Sequence, residues 1–271
     1  MNWIADYHMH THHSPDSRST IAEMAASARL RGLSEIAITN HFEFFPDGQE
    51  HGYTIENFED YREELRQFRE QYPSAMPVRF GLEAGQPFEN PSYTQELMET
   101  FSFDFVLGSV HDLGDIDLYV ADYTKQNLPW FCRTYLDALY RLADECDYDC
   151  LAHIDLIKRY AAFRGLKADL MDYPDELTAV LKRVIERDKG IEINTSGIRQ
   201  NVGEMLPGLS ILKLYKSLGG KILTIGSDAH NPHDVAADLE AGYELLKQAG
   251  FVYVCSFENR KPFFHLIENY N

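Results

Sequence analysis

The segment Asp6-Tyr7-His8-Met9-His10 alternates polar and bulky residues near the start of the chain. A strand's two-residue period sets His8 and His10 on one face, a few ångströms apart, as an imidazole pair suited to a shared metal ion. Five further segments end a short apolar run in an imidazole or a carboxylate: Thr39-Asn40-His41, Gly81-Leu82-Glu83, Gly108-Ser109-Val110-His111, Leu151-Ala152-His153 and Gly226-Ser227-Asp228-Ala229-His230. These donor types suit zinc, manganese or iron. A single histidine of this kind is commonly a packed core residue, but six of the 11 histidines ending apolar runs point to a multinuclear metal site. His12 and His13 lie close to the first pair and stay unassigned, whereas His51, His233 and His265 read as surface imidazoles.

The elements that must position these groups alternate. Residues 3–8, 35–39, 78–83, 105–110, 150–153, 190–194 and 222–226 read as short apolar or β-branched strands. Helical patterns cover 20–30, 55–72, 91–100, 128–145, 174–189, 208–218 and 234–249. Ser19 and Asp172 stand where helices should start, and Gly32, Gly190, Gly219 and Gly250 where left-handed residues should end them. Strand then helix, repeated without a linker, predicts parallel β/α architecture in one domain over residues 1–271. A closed barrel fits better than a doubly wound sheet, because the polar candidates fall at the C-terminal ends of many strands. Residues 251–256 are a candidate eighth strand, but the ending FENRKPFFHL reads more as closing structure than as another barrel unit.

Over 271 residues, 25 Lys and Arg face 43 Asp and Glu, a formal net charge of −18. That field opposes non-specific contact with nucleic acid or anionic lipid, so an anionic substrate needs a local positive site. No apolar run approaches the roughly 20 residues of a membrane span. Residues 1–6 lack the pattern of a signal peptide. Cys132, Cys146, Cys150 and Cys255 form no CxxC pair and read as reduced, packed thiols; a structural metal on Cys146 and Cys150 is the weaker alternative. A cytoplasmic protein is expected.

Taken together, DYHMHTHHSPDS, ITNH, GLEA, GSVH, LAHID and GSDAH resemble the PHP family, named for polymerase and histidinol phosphatase, over essentially the whole chain. The resemblance implies an α/β fold, a distorted (β/α)7 TIM-like barrel, carrying three divalent metals (Zn, Mn or Fe). It gives one metal to His8, His10, Glu83 and Asp228, and a second to His111 and His153 with Glu83 as a bridge. The third falls to His41, His230 and a first-loop residue, which is Asp16 by spacing with His13 as the alternative.

LAHIDLIKRY, with Lys158 and Arg159, and EINTSGIRQN, with Arg199, are similar to phosphate-clamping segments of the histidinol-phosphatase branch. A guanidinium fork matches phosphate oxygens and supplies the local charge that the molecule otherwise lacks. The implied reaction is hydrolysis of L-histidinol phosphate to L-histidinol and phosphate in histidine biosynthesis. A hydroxide between the metals sharing Glu83 would attack phosphorus in line, and Asp228 or His230 would pass a proton to the leaving alkoxide. Glu43, or else Asp112, Asp115 or Asp117, would receive the substrate's ammonium. Phe44, Phe45, Tyr119 and Tyr160 read as mainly core. Competing readings are a PHP phosphoesterase acting on nucleotides or nucleic-acid ends, against the acidic charge, and an amidohydrolase-type C–N hydrolase. The latter family bridges its metals with a carboxylated lysine, where this chain has Glu83. A non-catalytic PHP module of a polymerase is the least favoured. The sequence leaves the oligomeric state open.

Overall fold

Short runs that are apolar on both faces can survive only where sheet neighbours and covering helices bury them together. In the computed structural model, which describes residues 3–46, 53–74 and 76–267, every residue of β1 (Ala5–Asp6) and β2 (Glu35–Ile38) is buried. After β2 the chain makes β3 (His41–Glu43), then crosses α2 (Ile55–Gln71) into β4 (Val78–Gly85). Strands β5 (Phe105–Ser109), β8 (Cys150–Leu151), β9 (Gly190–Asn194) and β10 (Leu223–Gly226) complete the sheet in the order β1-β2-β4-β5-β8-β9-β10, all parallel. The residues after β1 return to β10: Tyr7 N donates to Ile225 O at 2.9 Å, and Asp228 N to His8 O at 2.8 Å. These bonds nearly close a seven-stranded barrel in a single α/β domain.

The remaining helices are α1 (Ile21–Leu30), α3 (Pro91–Thr100), α4 (Leu128–Glu145), α5 (Ile157–Phe163), α6 (Pro174–Glu186), α7 (Ser196–Arg199), α8 (Leu209–Ser217) and α9 (Leu239–Gln248). A small ribbon, β6 (Asp112–Leu113) with β7 (Ile116–Asp117), sits beyond β5. Residues 251–256 fall largely in β11 (Tyr253–Glu258), which pairs antiparallel with β12 (Lys261–Leu266) and does not extend the barrel sheet. This hairpin covers the N-terminal ends of the strands. Its Arg260 reaches Asp149 Oδ2 at 2.5 Å and Asp147 Oδ1 at 3.1 Å, just ahead of β8. Cys255 and Phe257 join Ala5, Ala37, Phe105 and Leu107 in a cluster separate from the main core.

Local chemistry departs from expectation at four helix ends. Thr20, not Ser19, caps α1: its hydroxyl accepts from Glu23 N, while the Glu23 carboxylate accepts from Thr20 N at 2.8 Å. Tyr173, not Asp172, precedes Pro174, and it makes no side-chain cap. Gly190 opens β9, and the left-handed residue before it is Asp188 with φ 55°. Gly32, Gly219 and Gly250 do take positive φ. Helix α9 starts at Leu239, five residues after the expected point, because Ala236 and Asp238 take left-handed φ of 61° and 59°. All four cysteines are buried and free, and among the described residues no helix is long and apolar enough to cross a membrane.

Candidate metal centre

The first loop is clasped to the end of β2 before any metal is considered. Asn40 Oδ1 accepts from Thr11 N at 2.7 Å and from Ser14 Oγ at 3.1 Å, and Ser14 Oγ accepts from His41 N at 3.0 Å. Through this clasp His8 and His10, both fully buried, present Nε2 atoms 3.1 Å apart. Glu83 sits opposite them on β4, in register with His41.

Its two oxygens divide five imidazoles. Oε2 lies 3.1 Å from His8 Nε2, 3.4 Å from His10 Nε2 and 3.1 Å from His41 Nδ1. Oε1 lies 2.9 Å from His153 Nε2 and 3.3 Å from His111 Nε2. Asp228 Oδ1 approaches His10 Nε2 at 3.5 Å and His8 Nε2 at 3.7 Å. A further group forms at the mouth, where Asp16 Oδ2 is 2.9 Å from His230 Nε2 and 3.6 Å from His41 Nε2. His13 turns away, with Nε2 2.6 Å from Glu64 Oε2. Donor sets within reach of one ion are His8-His10-Asp228, His8-Glu83-His153, His41-Glu83-His111 and His10-Asp16-His41-His230. The donor sets cross the expected partition: His111 converges with His41, His153 with His8, and His10 also joins the Asp16-His41-His230 group.

The donor set fits divalent cations. His8 Nδ1 is 2.7 Å from Glu192 Oε1, His10 Nδ1 is 3.1 Å from Ser14 Oγ, and His230 Nδ1 donates to Asp228 O at 3.0 Å. Outer nitrogens held in this way leave the inner Nε2 lone pairs aimed at the carboxylates, the arrangement that a metal requires. His41 Nδ1 is buried between Glu83 Oε2 and Glu43 Oε1, at 3.1 and 3.2 Å, in hydrogen-bond geometry with neither. Burial, with His41 and His230 close by, pushes the His10 imidazole down to about 3, so it stays in its neutral, ligating form. Burial alone would raise Glu83 and Asp228, yet the surrounding imidazoles hold both well below the usual carboxylate range.

Above the donors lies a cavity of about 740 Å³. Arg159, on α5, lines it and donates to Ser196 Oγ and, at 3.1 Å, to Asp228 Oδ2. Arg199 does not line it: the guanidinium donates to Ser227 O at 2.6 Å and stands 3.9 Å from Asp238. Lys158 is spent on Asp155 at 2.8 Å and Glu204 at 3.0 Å, away from the opening. Glu43 borders the cavity but is held by imidazoles, 2.8 Å from His111 Nδ1 and 3.2 Å from His41 Nδ1, instead of standing free for an ammonium. These two contacts override burial and keep its carboxyl at about 2.

Asp112 and Asp117 line the rim with Phe45, Tyr119 and Tyr160, so these aromatics are not simply core; Phe44 is, and Asp115 lies outside the lining. His233 is solvated, His265 stacks on Trp3 at 3.6 Å, and His51 lies outside the described residues. Sequence reasoning missed Glu192, fully buried on β9, which holds His8 with one oxygen and accepts from His153 N at 2.9 Å with the other. A glutamate inside the apolar run Gly190–Asn194 was the available signal.

Residues 6–196 match the family model for the PHP domain. The histidinol-phosphatase of Lactococcus lactis subsp. lactis is 27% identical, covering 94% of this chain and 95% of its own. The probable histidinol-phosphatase of Clostridium acetobutylicum is 32% identical, over 95% and 98%. Among solved structures, histidinol phosphate phosphatase from Lactococcus lactis subsp. lactis, complexed with zinc, L-histidinol and phosphate, superposes with a TM-score of 0.85. That likeness has 26% identity and covers 97% of this chain and 100% of the other. It takes in β10 and the Asp228–His230 segment, which lie beyond the matched domain. Sequence and barrel therefore agree over nearly the full length, and the chain belongs to the PHP family.

Proposed function

We propose that this protein is a metal-dependent phosphomonoesterase of the cytoplasm that hydrolyses L-histidinol phosphate to L-histidinol and phosphate, a step of histidine biosynthesis. The observation that carries this reading is the near-complete likeness to a phosphatase solved with zinc, L-histidinol and phosphate. It is supported by a donor set in which Glu83 faces five imidazoles beneath an open cavity.

Three divalent ions per chain (zinc, manganese or iron) would be held by His8, His10, Asp16, His41, Glu83, His111, His153, Asp228 and His230. Bound there, they would supply a lowered water pKa and offset charge on the phosphate. The remaining work belongs to side chains. Arg159 would grip the non-bridging phosphate oxygens with a guanidinium whose geometry Asp228 and Ser196 already fix. Arg199 would add a second contact only by leaving the Ser227 carbonyl. We assign the proton relay to Asp228 or His230, both on the cavity wall: one of them would take the proton released by the attacking water and pass it to the leaving alkoxide. Glu43 orients His41 and His111, which leaves Asp112 and Asp117 at the rim for the substrate's ammonium.

The test is phosphate release from a panel of small phosphomonoesters and nucleotides, plus a 3′-phosphorylated oligonucleotide. It uses metal-stripped protein resupplied with zinc, manganese or iron. Histidinol phosphate should lead in kcat/KM by at least about tenfold. Equal rates across the panel, or a lead for the oligonucleotide, would overturn the substrate.

A further inference from the structure

His12, His13 and Glu64 form a second cluster of metal-ligand type that does not line the cavity. His12 and His13 belong to the first loop, and Glu64 projects from α2. A single carboxylate oxygen gathers both rings: Glu64 Oε2 is 2.6 Å from His13 Nε2 and 3.3 Å from His12 Nε2. The other oxygen, Oε1, accepts from Ile21 N at 3.2 Å, which fixes the carboxylate against the start of α1. His13 packs on Tyr61, 5.6 Å between ring centroids, and the two histidine rings are 4.3 Å apart.

The way His12 is held shows which nitrogen faces the cluster. His12 Nδ1 lies 3.3 Å from Ser19 O, a group that only accepts, so Nδ1 carries the ring proton. Nε2 is then the nitrogen left for an ion, and it faces the same Glu64 oxygen that His13 Nε2 meets, so three donor atoms converge on one point. A carbonyl holding the outer nitrogen of a histidine is also the arrangement that orients metal ligands generally. His12 is 40% exposed and Glu64 28%, which leaves the remaining positions of an ion open to water.

We propose that His12, His13 and Glu64 form an exchangeable site for a first-row divalent ion of the zinc class, separate from the catalytic cluster. Two imidazole nitrogens and one carboxylate oxygen suit zinc with water in the open position. The ion would brace the first loop against α2, three residues before Asp16 at the mouth.

The experiment equilibrates metal-loaded protein against buffered micromolar zinc and measures zinc per chain by elemental analysis. Wild type should bind one ion more than His12→Gln or Glu64→Gln, with site affinity at least about tenfold weaker in each variant. The phosphatase rate without added zinc should be the same in all three. Anomalous diffraction at the zinc edge should place the extra ion between His12 Nε2, His13 Nε2 and Glu64 Oε2. Equal zinc content and affinity in wild type and His12→Gln would overturn the site and leave a simple imidazolium–carboxylate pair. His12→Gln decides the matter alone should Glu64→Gln fail to fold.

Discussion

Glu83 meets more of the donor set than any other carboxylate in the cavity, and its replacement should be the most damaging. Glu83→Gln turns one acceptor into a donor facing imidazoles, so elemental analysis should show the loss of more than one ion per chain. Asp16→Asn should deplete mainly one ion, since Asp16 meets only His41 and His230. Full occupancy in Glu83→Gln would remove the shared-ligand assignment. Arg159→Ala should cost about 2–4 kcal/mol of transition-state stabilisation, roughly 30- to 1000-fold in kcat/KM, with inhibition by phosphate weakening in parallel. Arg159→Lys should recover only part of this, because a point charge cannot reproduce the fork. Arg199→Ala should cost less, and an equal or larger loss would mean that Arg199 leaves Ser227 when substrate binds. Much of this residue-level picture was legible from side-chain type and position after an apolar run. The direction of a side chain was not. Asp16 and His13 share one loop, and only the distant Glu64 on α2 draws His13 away. The turn of Arg199 toward Ser227 likewise depends on a contact 28 residues along the chain.

At the scale of elements, the long-period patterns were readable and the short ones were not. Strands β4, β5 and β9 announce themselves as apolar runs, whereas β3, β6, β7 and α7 hold two to four residues each, too few to show a period. Helix α5 escaped the sequence reading because it follows β8 after a turn and is buried over Ile157–Ala161. Close approach explains Gly226: a Cβ there would meet the His8 side chain and the Glu192 carboxylate, so β10 can bear only glycine beside the first pair. The β11–β12 hairpin offers a measurable clasp. Asp149 is 4% exposed, and burial raises its pKa despite Arg260. Arg260→Ala leaves that carboxylate without its cation and should cost about 2–3 kcal/mol near neutral pH by denaturant titration. The sign with pH follows from the raised pKa. Ionised Asp149 needs the partner and protonated Asp149 does not, so the penalty should shrink as acid protonates the group. A penalty that is constant with pH would show that Arg260 acts through packing alone.

For the whole molecule, a net charge of −18 is concentrated further at one barrel mouth, where Asp16, Glu43, Glu83 and Asp228 line a single cavity. Cations bound there stabilise the native state by mass action, about 2.7 kcal/mol for an ion held at 100 times its dissociation constant. A chelator should therefore lower Tm as well as abolish phosphatase activity, and readdition of zinc, manganese or iron should restore both. Unchanged Tm after verified removal of metal would show that the donor set is organised by protein contacts alone. The seam between the residues after β1 and β10 carries a consequence for how the protein is made. His8 leaves the ribosome long before its seam partners, for the backbone hydrogen bonds that seat Tyr7 and His8 come from Ile225 and Asp228 respectively. At about 5–20 residues per second, roughly 10–40 s separate the two during synthesis. Late in that interval the nascent chain holds Glu83 and the histidines up to His153 without the strand that closes the ring around them. Acquisition of the full ion complement is therefore a late event in the life of the polypeptide, gated by the arrival of its last barrel strand.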